Sequence, residues 1–196
     1  PWRETCDPYR ILVSEVMLQQ TQVDRVLGKY GPFLERFHDF PSLARAPAGQ
    51  VLACWQGLGY NRRCLALHRT ARIVTERYGG RLPASAEELQ ALPGIGPATA
   101  SAVLSFAFGL PSVLIETNIR NVYVYFFFGG AGTPGDAGAP GGAGDETAPP
   151  PVADREIVPL VRATLDRGNP RRWYYALMDY GAALKRALRR GGAGLN

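Results

Sequence analysis

The sequence contains few of the residues from which proteins build metal centres. Its 196 residues include three cysteines, Cys6, Cys54 and Cys64, and two histidines, His38 and His68, with no C-x-x-C pair. Because zinc sites and iron–sulfur clusters need grouped Cys or His ligands, this pattern predicts catalysis by ordinary side chains without a metal cofactor. An odd cysteine count also argues against a disulfide scaffold and is typical of a reducing compartment.

Long apolar runs are missing as well. No segment approaches the roughly 20 apolar residues that a membrane-spanning helix requires. The N-terminal residues Pro1-Trp2-Arg3-Glu4 do not have the charged and then apolar layout of a signal peptide. We therefore expect a soluble, cytoplasmic protein that has no membrane partner.

The overall composition is that of a folded, basic protein. Hydrophobic residues make up 46% of the chain and charged residues 20%, which is enough apolar material for a core. The 22 Lys and Arg residues outnumber the 17 Asp and Glu residues, for a net charge of +5. This balance favours a polyanionic partner but does not identify one.

The spacing of apolar residues predicts an all-α fold. Asp7-Pro8 is typical of a helix start, and a first helix is predicted from Tyr9 to about Gly28 with Ile11, Leu12, Val16, Val23, Val26 and Leu27 on its buried face. Further helices are predicted at about 32–38, 48–55, 61–78, 85–91, 97–108, 118–128, 154–166 and 170–190. Gly79-Gly80 is expected to end the helix at 61–78, Ser85 with Glu88 to form a capping box for the helix at 85–91, and Asp154 to cap the helix that it begins. The Gly, Ala and Pro-rich segment 129–153 is predicted to be a flexible insertion.

Two glycine-containing turns are candidates for contact with a polyanion. Leu92-Pro93-Gly94-Ile95-Gly96 lies between two predicted helices, and its glycines can adopt positive φ and bring bare backbone N–H groups close to a phosphate. The alternative is a plain turn between helices. The second turn, 57–63, carries an aromatic residue and two arginines, which suits base stacking and phosphate pairing, although a capped helix start with solvated arginines is the alternative.

Two carboxylates are candidates for acid–base chemistry. Glu15 shares a predicted helix face with Gln19 and Gln22, at spacings of i, i+4 and i+7, although such a row is also common on a solvent-exposed face. Glu116 stands at the start of a predicted helix, where the positive end of the helix dipole favours an anion and where acids are common for structural reasons alone. Glycosidic bond hydrolysis uses two carboxyl groups in unlike environments.

Four motifs in this order resemble the endonuclease III superfamily of helix-hairpin-helix DNA glycosylases, and most closely its MutY-type adenine DNA glycosylases. They are S-E-V-M-L-Q-Q-T-Q-V at 14–23, G-L-G-Y at 57–60, L-P-G-I-G at 92–96 and M-D-Y-G-A at 178–182. The resemblance implies a base excision repair enzyme that flips a base of double-stranded DNA into a cleft between two helical domains. It places one domain at 24–122 and the other at 1–23 plus 123–196, and implies a monomer, which is nucleoid-associated if the source is bacterial.

The resemblance also implies roles for individual residues. Glu15 would protonate the departing base, and Glu116 would stabilise the oxocarbenium ion beside Asn118. Arg3 would lie near the flipped base, Leu18, Gln19 and Gln20 would fill the gap that this base leaves in the duplex, and Tyr60 would wedge beside the opposing base. A phosphate would be held by the turn residues Pro93, Gly94, Ile95 and Gly96 together with Thr99, and Arg62 is a further candidate for DNA contact. The hairpin carbonyls could bind a monovalent cation.

Three departures from the family pattern define what we expect of the activity. Glu116 replaces the family's aspartate, and because Glu is the weaker N-cap we expect Thr117 to cap the helix instead. Ala98 stands where bifunctional members carry a Schiff-base lysine, so a monofunctional enzyme is expected. The iron–sulfur cysteines are missing, and Lys185, followed by Arg186, Arg189 and Arg190, stands where the first of them would fall.

The excised base remains open at this level. Adenine opposite 8-oxoguanine or guanine is the first expectation. Uracil, thymine, hypoxanthine and alkylated purines are alternatives on the same scaffold, and a non-catalytic, structure-specific DNA-binding protein is an alternative from another functional class.

Overall fold

The computed structural model describes residues 1–129 and 152–192, and within these residues the chain is helical and has no β-strand. This confirms the all-α fold class. After a short 3₁₀ turn at Trp2–Glu4, the helices are α1 Pro8–Leu18, α2 Val23–Arg36, α3 Phe40–Arg45, α4 Ala48–Trp55, α5 Asn61–Tyr78, α6 Ala86–Gln90, α7 Pro97–Ala107, α8 Thr117–Phe127, α9 Asp154–Thr164 and α10 Pro170–Gly192. None of the helices in the described residues is long and apolar enough to cross a membrane. Most of the predicted insertion, residues 130–151, lies outside the described residues.

The chain forms two compact units, Pro1–Ser112 with α1 to α7 and Val113–Asn196 with α8 to α10. This division groups residues 1–23 with the hairpin at 92–96 and groups residues 113–122 with the C-terminal helices. The resemblance implies different domain boundaries, 24–122 and 1–23 plus 123–196. They differ from the two compact units in the placement of residues 1–23 and 113–122, and they stay a prediction.

The predicted first helix is wrong in length, because two helices occupy its place. Asp7 caps α1 as expected, and its side chain accepts hydrogen bonds from the N–H groups of Tyr9 at 2.8 Å and Arg10 at 3.1 Å. The helix then ends at Leu18, Gln20 adopts a left-handed φ of +54°, and α2 begins at Val23. Gln22 is therefore the N-cap of α2 and does not continue the helical face that carries Glu15.

The core of the first unit forms between α1, α2, α4, α5 and α7. Trp55 and Phe33 are fully buried and meet edge to face, with ring centroids 6.0 Å apart. Ile11, Leu12, Val16 and Val26 are buried as predicted, but Val23 and Leu27 remain 52% and 45% exposed. The break after α1 rotates the start of α2, which explains why these two residues leave the expected buried face.

The second unit is built on the packing of α8 against α10. The buried Tyr174 hydroxyl of α10 accepts a hydrogen bond at 3.1 Å from the backbone N–H of Leu114, just before α8, and burial raises the pKa of Tyr174 to about 12. Helix α9 begins at Asp154, which the sequence predicted to be its cap; instead Ala153 is the N-cap, and its N–H donates to Glu156 at 2.8 Å.

Candidate functional site

The turn at 92–96 is a tight hairpin held against α5. Gly94 has a φ of +78°, and a Cβ added there would lie 2.7 Å from the Cβ of Ala66, so both conformation and space require glycine. The Thr70 hydroxyl donates to the carbonyl oxygen of Pro93 at 2.9 Å. The expectation that both glycines adopt positive φ is wrong for Gly96, which has a φ of −85° and serves as the N-cap of α7.

Helix α7, which follows the hairpin, is linked directly to the segment that follows α1. The side-chain amide of Gln19 donates to the Thr99 hydroxyl at 3.0 Å, which joins the end of α1 to the first turn of α7. Leu18 is the last residue of α1 and Gln20 is exposed in its left-handed conformation. Two parts of the predicted DNA-binding set, 80 residues apart in sequence, are thus in contact.

Tyr60 is presented to solvent in a conformation that few residues of its type adopt. Its φ is +48°, it precedes the first residue of α5, and it is 54% exposed. The guanidinium of Arg62 lies 6.0 Å from the centre of its ring, and Arg62 is exposed as well. An exposed ring and a neighbouring cation are what base stacking beside a phosphate requires.

Arg63 has a different role from its neighbour, and the sequence did not reveal it. Only 7% of this residue is exposed. Its guanidinium lies 5.7 Å from the ring centre of Trp55 and 5.3 Å from that of Tyr60. Burial lowers the pKa of Arg63 below the usual arginine value, and the charge of Arg62 acts in the same direction. In the sequence G-L-G-Y-N-R-R the two arginines cannot be told apart, and only the packing of the fold shows which of them is buried.

An open cavity of about 590 Å³ lies between the end of α1, the first turns of α5 and the hairpin. Its polar and charged lining residues are Gln19, Gln20, Arg62, Arg63 and Arg69, and Pro93 and Gly94 form part of its wall. Arg69 and Arg62 are both exposed on α5. The cavity therefore combines cations, amide groups and hairpin backbone, which is a suitable surface for a phosphodiester strand.

Glu15 lies on α1 one turn before Gln19 and is half-buried between the buried residues Ser14 and Val16. Helix α1 packs against α7, so the helix that carries this carboxyl group contacts the second helix of the hairpin motif. Arg3 is exposed in the 3₁₀ turn at the N-terminus. The catalytic and binding roles of these residues stay predictions.

Glu116 and Asn118 lie in the second unit, at the start of α8. Glu116 itself is the N-cap: its carboxylate accepts from the Ile119 N–H at 2.8 Å and from the Asn118 side-chain amide at 3.4 Å. The expectation that Thr117 takes over the capping role is therefore wrong. The longer Glu side chain can still fold back onto the first turn, so the carboxylate is held in one orientation.

The residues present do not fit an iron–sulfur cluster. The three cysteines lie in the first unit, where Cys6 is exposed, Cys54 is half-buried and Cys64 is buried. Lys185 lies half-buried on α10, Arg186 is exposed there, and the side chains of Arg189 and Arg190 are outside the described part. In the portion of the chain that the structure describes, no group of three His, Cys, Asp or Glu residues could hold a metal ion.

Comparison with known proteins agrees with this arrangement. A family model described as HhH-GPD superfamily base excision DNA repair protein matches residues 13–169. The adenine DNA glycosylase of Buchnera aphidicola subsp. Baizongia pistaciae (strain Bp) is 40% identical over 127 residues, which cover 65% of this chain and 36% of that protein. The thymine/uracil-DNA glycosylase of Methanothermobacter thermautotrophicus is 33% identical over 132 residues, covering 67% of this chain and 59% of that protein.

The fold is also found among solved structures. A thermostable thymine-DNA glycosylase matches 93% of this chain and 77% of its own, with a TM-score of 0.76 and 28% sequence identity. These findings confirm the resemblance inferred from the four motifs. The chain nevertheless spans less than two thirds of the length of either curated relative.

Proposed function

Because this chain belongs to the HhH-GPD superfamily of base excision DNA repair proteins, we propose that it is a monofunctional DNA glycosylase. Its substrate is a base flipped out of double-stranded DNA, and adenine mispaired with 8-oxoguanine or guanine is the first candidate. The observation that carries the proposal is the arrangement of the first unit, in which the helix bearing Glu15 continues into a loop that is hydrogen-bonded to the hairpin motif.

DNA binding follows from the surface around the cavity. The turn at 92–96 and the N-terminus of α7 suit a backbone phosphate, because the first N–H groups of a helix lack intrahelical partners and the helix dipole favours an anion there. Arg62 and Arg69 are exposed beside them. Such contacts bind the DNA backbone independently of the base sequence. Because they are electrostatic, the affinity for DNA should fall as the salt concentration rises.

The proposed reaction breaks the bond between C1′ of the deoxyribose and a ring nitrogen of the base. Glu15 donates a proton to the departing base, the C1′ centre develops oxocarbenium character, and the Glu116 carboxylate stabilises that positive charge. A water molecule then adds to C1′ and gives a proton to the Glu15 carboxylate, which restores the acid and leaves a free base and an abasic site. Ala98 has no amine, so the chain offers no Schiff base at that position. No cofactor takes part, and the protein acts as a monomer.

Two similar proteins suggest a second substrate class. The Methanothermobacter relative is a thymine/uracil-DNA glycosylase, and the solved structure with the TM-score of 0.76 is a thymine-DNA glycosylase. Pyrimidines mispaired with guanine are therefore the second candidate on the same scaffold.

Single-turnover excision tests the function and identifies the base. The duplexes carry adenine opposite 8-oxoguanine, adenine opposite guanine, uracil or thymine opposite guanine, and hypoxanthine, and each is assayed with and without alkali. Glu15→Gln removes the proposed acid while keeping the side-chain shape, and should lower the rate by a factor of about 10² to 10⁴. Glu35→Gln, the same change at an exposed position of α2, is the matched control.

The outcomes separate the alternatives. Strand breaks that appear only after alkali, in the parent and in Glu35→Gln but not in Glu15→Gln, support a monofunctional glycosylase. Breaks without alkali would contradict the monofunctional mechanism. Lesion-selective binding with no excision on any duplex would favour the non-catalytic DNA-binding protein instead.

A further inference from the structure

We propose that Arg63 is a positioning residue that holds two DNA-facing segments, 19–21 and 58–60, in one fixed relation to each other. The proposal rests on the proposed function, because the two segments need a fixed relation only if they fill the gap that a flipped base leaves in the duplex. Arg63 lines the cavity, but only 7% of it is exposed, so it offers little surface to DNA compared with the exposed Arg62.

The guanidinium of Arg63 is bound from both segments at once. One terminal nitrogen, Nη1, donates to the carbonyl oxygens of Val16 at 3.0 Å, of Met17 at 3.2 Å and of Gln19. The other, Nη2, donates to the Thr21 hydroxyl at 2.9 Å and to the carbonyl oxygens of Leu58 at 3.2 Å and Gly59 at 3.3 Å. The six acceptors thus belong to the end of α1, the loop after it, and the turn before Tyr60.

The contacts explain why α1 ends where it does. The last carbonyl groups of any helix lack intrahelical partners, and a cation near them is favourable because the C-terminal end of the helix dipole is negative. Arg63 supplies both the donors and the charge from another helix. The chain can therefore leave the helix at Gln19 without leaving buried carbonyl oxygens unpaired.

Each of the two segments contains a residue held in an unfavourable backbone conformation. Gln20 and Tyr60 are the two non-glycine residues with positive φ in the described part of the chain, at +54° and +48°. Such conformations persist only when the surroundings determine them, and they gather where a side chain must be aimed. Both lie within two residues of an Arg63 acceptor, so a single guanidinium supports both.

This set of contacts needs the planar guanidinium group of arginine. Arginine presents two terminal nitrogens in a fixed geometry, whereas lysine presents one ammonium group at the end of a flexible stem. Lysine can serve the α1 carbonyls or the 58–60 turn but not both in one arrangement. Arg63→Lys should therefore keep the charge and lose the link between the segments.

The test compares Arg63→Met and Arg63→Lys with Arg72→Met, which is the same change at an exposed position of the same helix outside the cavity. Excision is measured on adenine opposite 8-oxoguanine and on adenine opposite a stable abasic analogue, where no partner base has to be held. Thermal unfolding gives the folded fraction of each variant. Two readouts need no catalysis. One is amide hydrogen exchange at 19–21 and 58–60, and the other is the ratio of the affinity for a duplex with an abasic analogue to the affinity for an intact duplex.

We expect Arg63→Met to lower excision opposite 8-oxoguanine about 10- to 100-fold, and excision opposite the abasic analogue less than about threefold, because only the first requires both segments in place. Arg63→Lys should recover part of the loss, and Arg72→Met should behave like the parent. Exchange should accelerate in both segments of Arg63→Met together.

A purely structural role for Arg63 would lower both excision rates by the same factor, in step with the folded fraction, and that result overturns the proposal. Faster exchange in only one segment would overturn it as well. If the parent protein excises nothing, the proposed glycosylase activity fails, while the exchange and the affinity ratio still decide whether Arg63 links the two segments.

Discussion

Gly181 is a position where alanine should be harmful although helix propensity favours it. It lies inside α10, in the M-D-Y-G-A motif, and crosses the first turn of α8. A Cβ at this position would lie 2.7 Å from the carbonyl carbon of Asn118, 3.0 Å from its Cα, and closer still to its carbonyl oxygen. These atoms are backbone, so no side-chain rotation relieves the overlap.

The expected magnitude follows from two opposing contributions. Alanine in a helix interior is more stable than glycine by about 1 kcal/mol. Forcing an extra carbon into a closely packed contact costs about 1–3 kcal/mol, and the upper part of this range applies because backbone must move. We therefore expect Gly181→Ala to destabilise the protein by about 1–2 kcal/mol.

Gly28→Ala is the matched control. Gly28 lies inside α2, has no positive φ, and an added Cβ would meet nothing within 4 Å. The change in unfolded-state entropy is the same for both substitutions, so the difference between them isolates the contact with Asn118. Gly28→Ala should stabilise the protein by up to about 1 kcal/mol.

Urea unfolding followed by far-ultraviolet circular dichroism measures both variants. The transition midpoint should fall for Gly181→Ala and rise for Gly28→Ala, with unchanged slopes. A midpoint that rises for both variants by similar amounts would refute the reasoning, because the close approach of α10 to Asn118 would then carry no energetic consequence.

Two further predictions concern the hairpin and a helix cap. Gly94→Ala should destabilise the protein by about 1–3 kcal/mol because of positive φ and the contact with Ala66. Gly96→Ala should lower the urea midpoint much less, because Gly96 has a φ of −85° and an added Cβ would meet nothing within 4 Å, so only the poorer N-cap preference of alanine counts. It should also weaken duplex binding on every sequence, as measured by fluorescence anisotropy; equal effects of both variants on the midpoint would contradict this. Asp39→Ala should cost about 1 kcal/mol near neutral pH, since Asp39 caps α3. Burial by itself would raise the pKa of Asp39, but the hydrogen bonds from Ser42 outweigh burial and lower it. The stabilisation that this cap contributes is therefore complete above the unfolded-state pKa of about 3.9, and it is lost as the pH falls through the lower folded-state pKa. Urea midpoints that differ between parent and variant by the same amount at pH 7 and pH 2 would count against this assignment.

Local sequence signals predicted most helices because their causes are local. Ser85 caps α6 by accepting from the Glu88 N–H, and Gly79 ends α5 in a left-handed conformation, both as the sequence indicates. Caps and glycine stops act within four or five residues, so the sequence contains all the partners that they need.

The break between α1 and α2 was not predictable from the same signals. The segment 9–28 contains no proline and no glycine before Gly28, and its spacing is compatible with one helix. The carbonyl groups at the end of α1 and the Thr21 hydroxyl after it accept hydrogen bonds from Arg63, which lies more than 40 residues later. Arg62 and Arg63 are adjacent and chemically identical, so only the fold decides which one is buried.

The sequence by itself determined the all-α class, the hairpin, the helix caps at Asp7 and Ser85, and the family, because each depends on motifs or on local hydrogen bonding. The tertiary structure alone decided that Gln19 contacts Thr99, that Gly181 leaves no space beside Asn118, and that one arginine links two segments of the candidate site. Each of these depends on the distance between atoms far apart in the chain, and such distances are set by packing, which composition and periodicity do not specify.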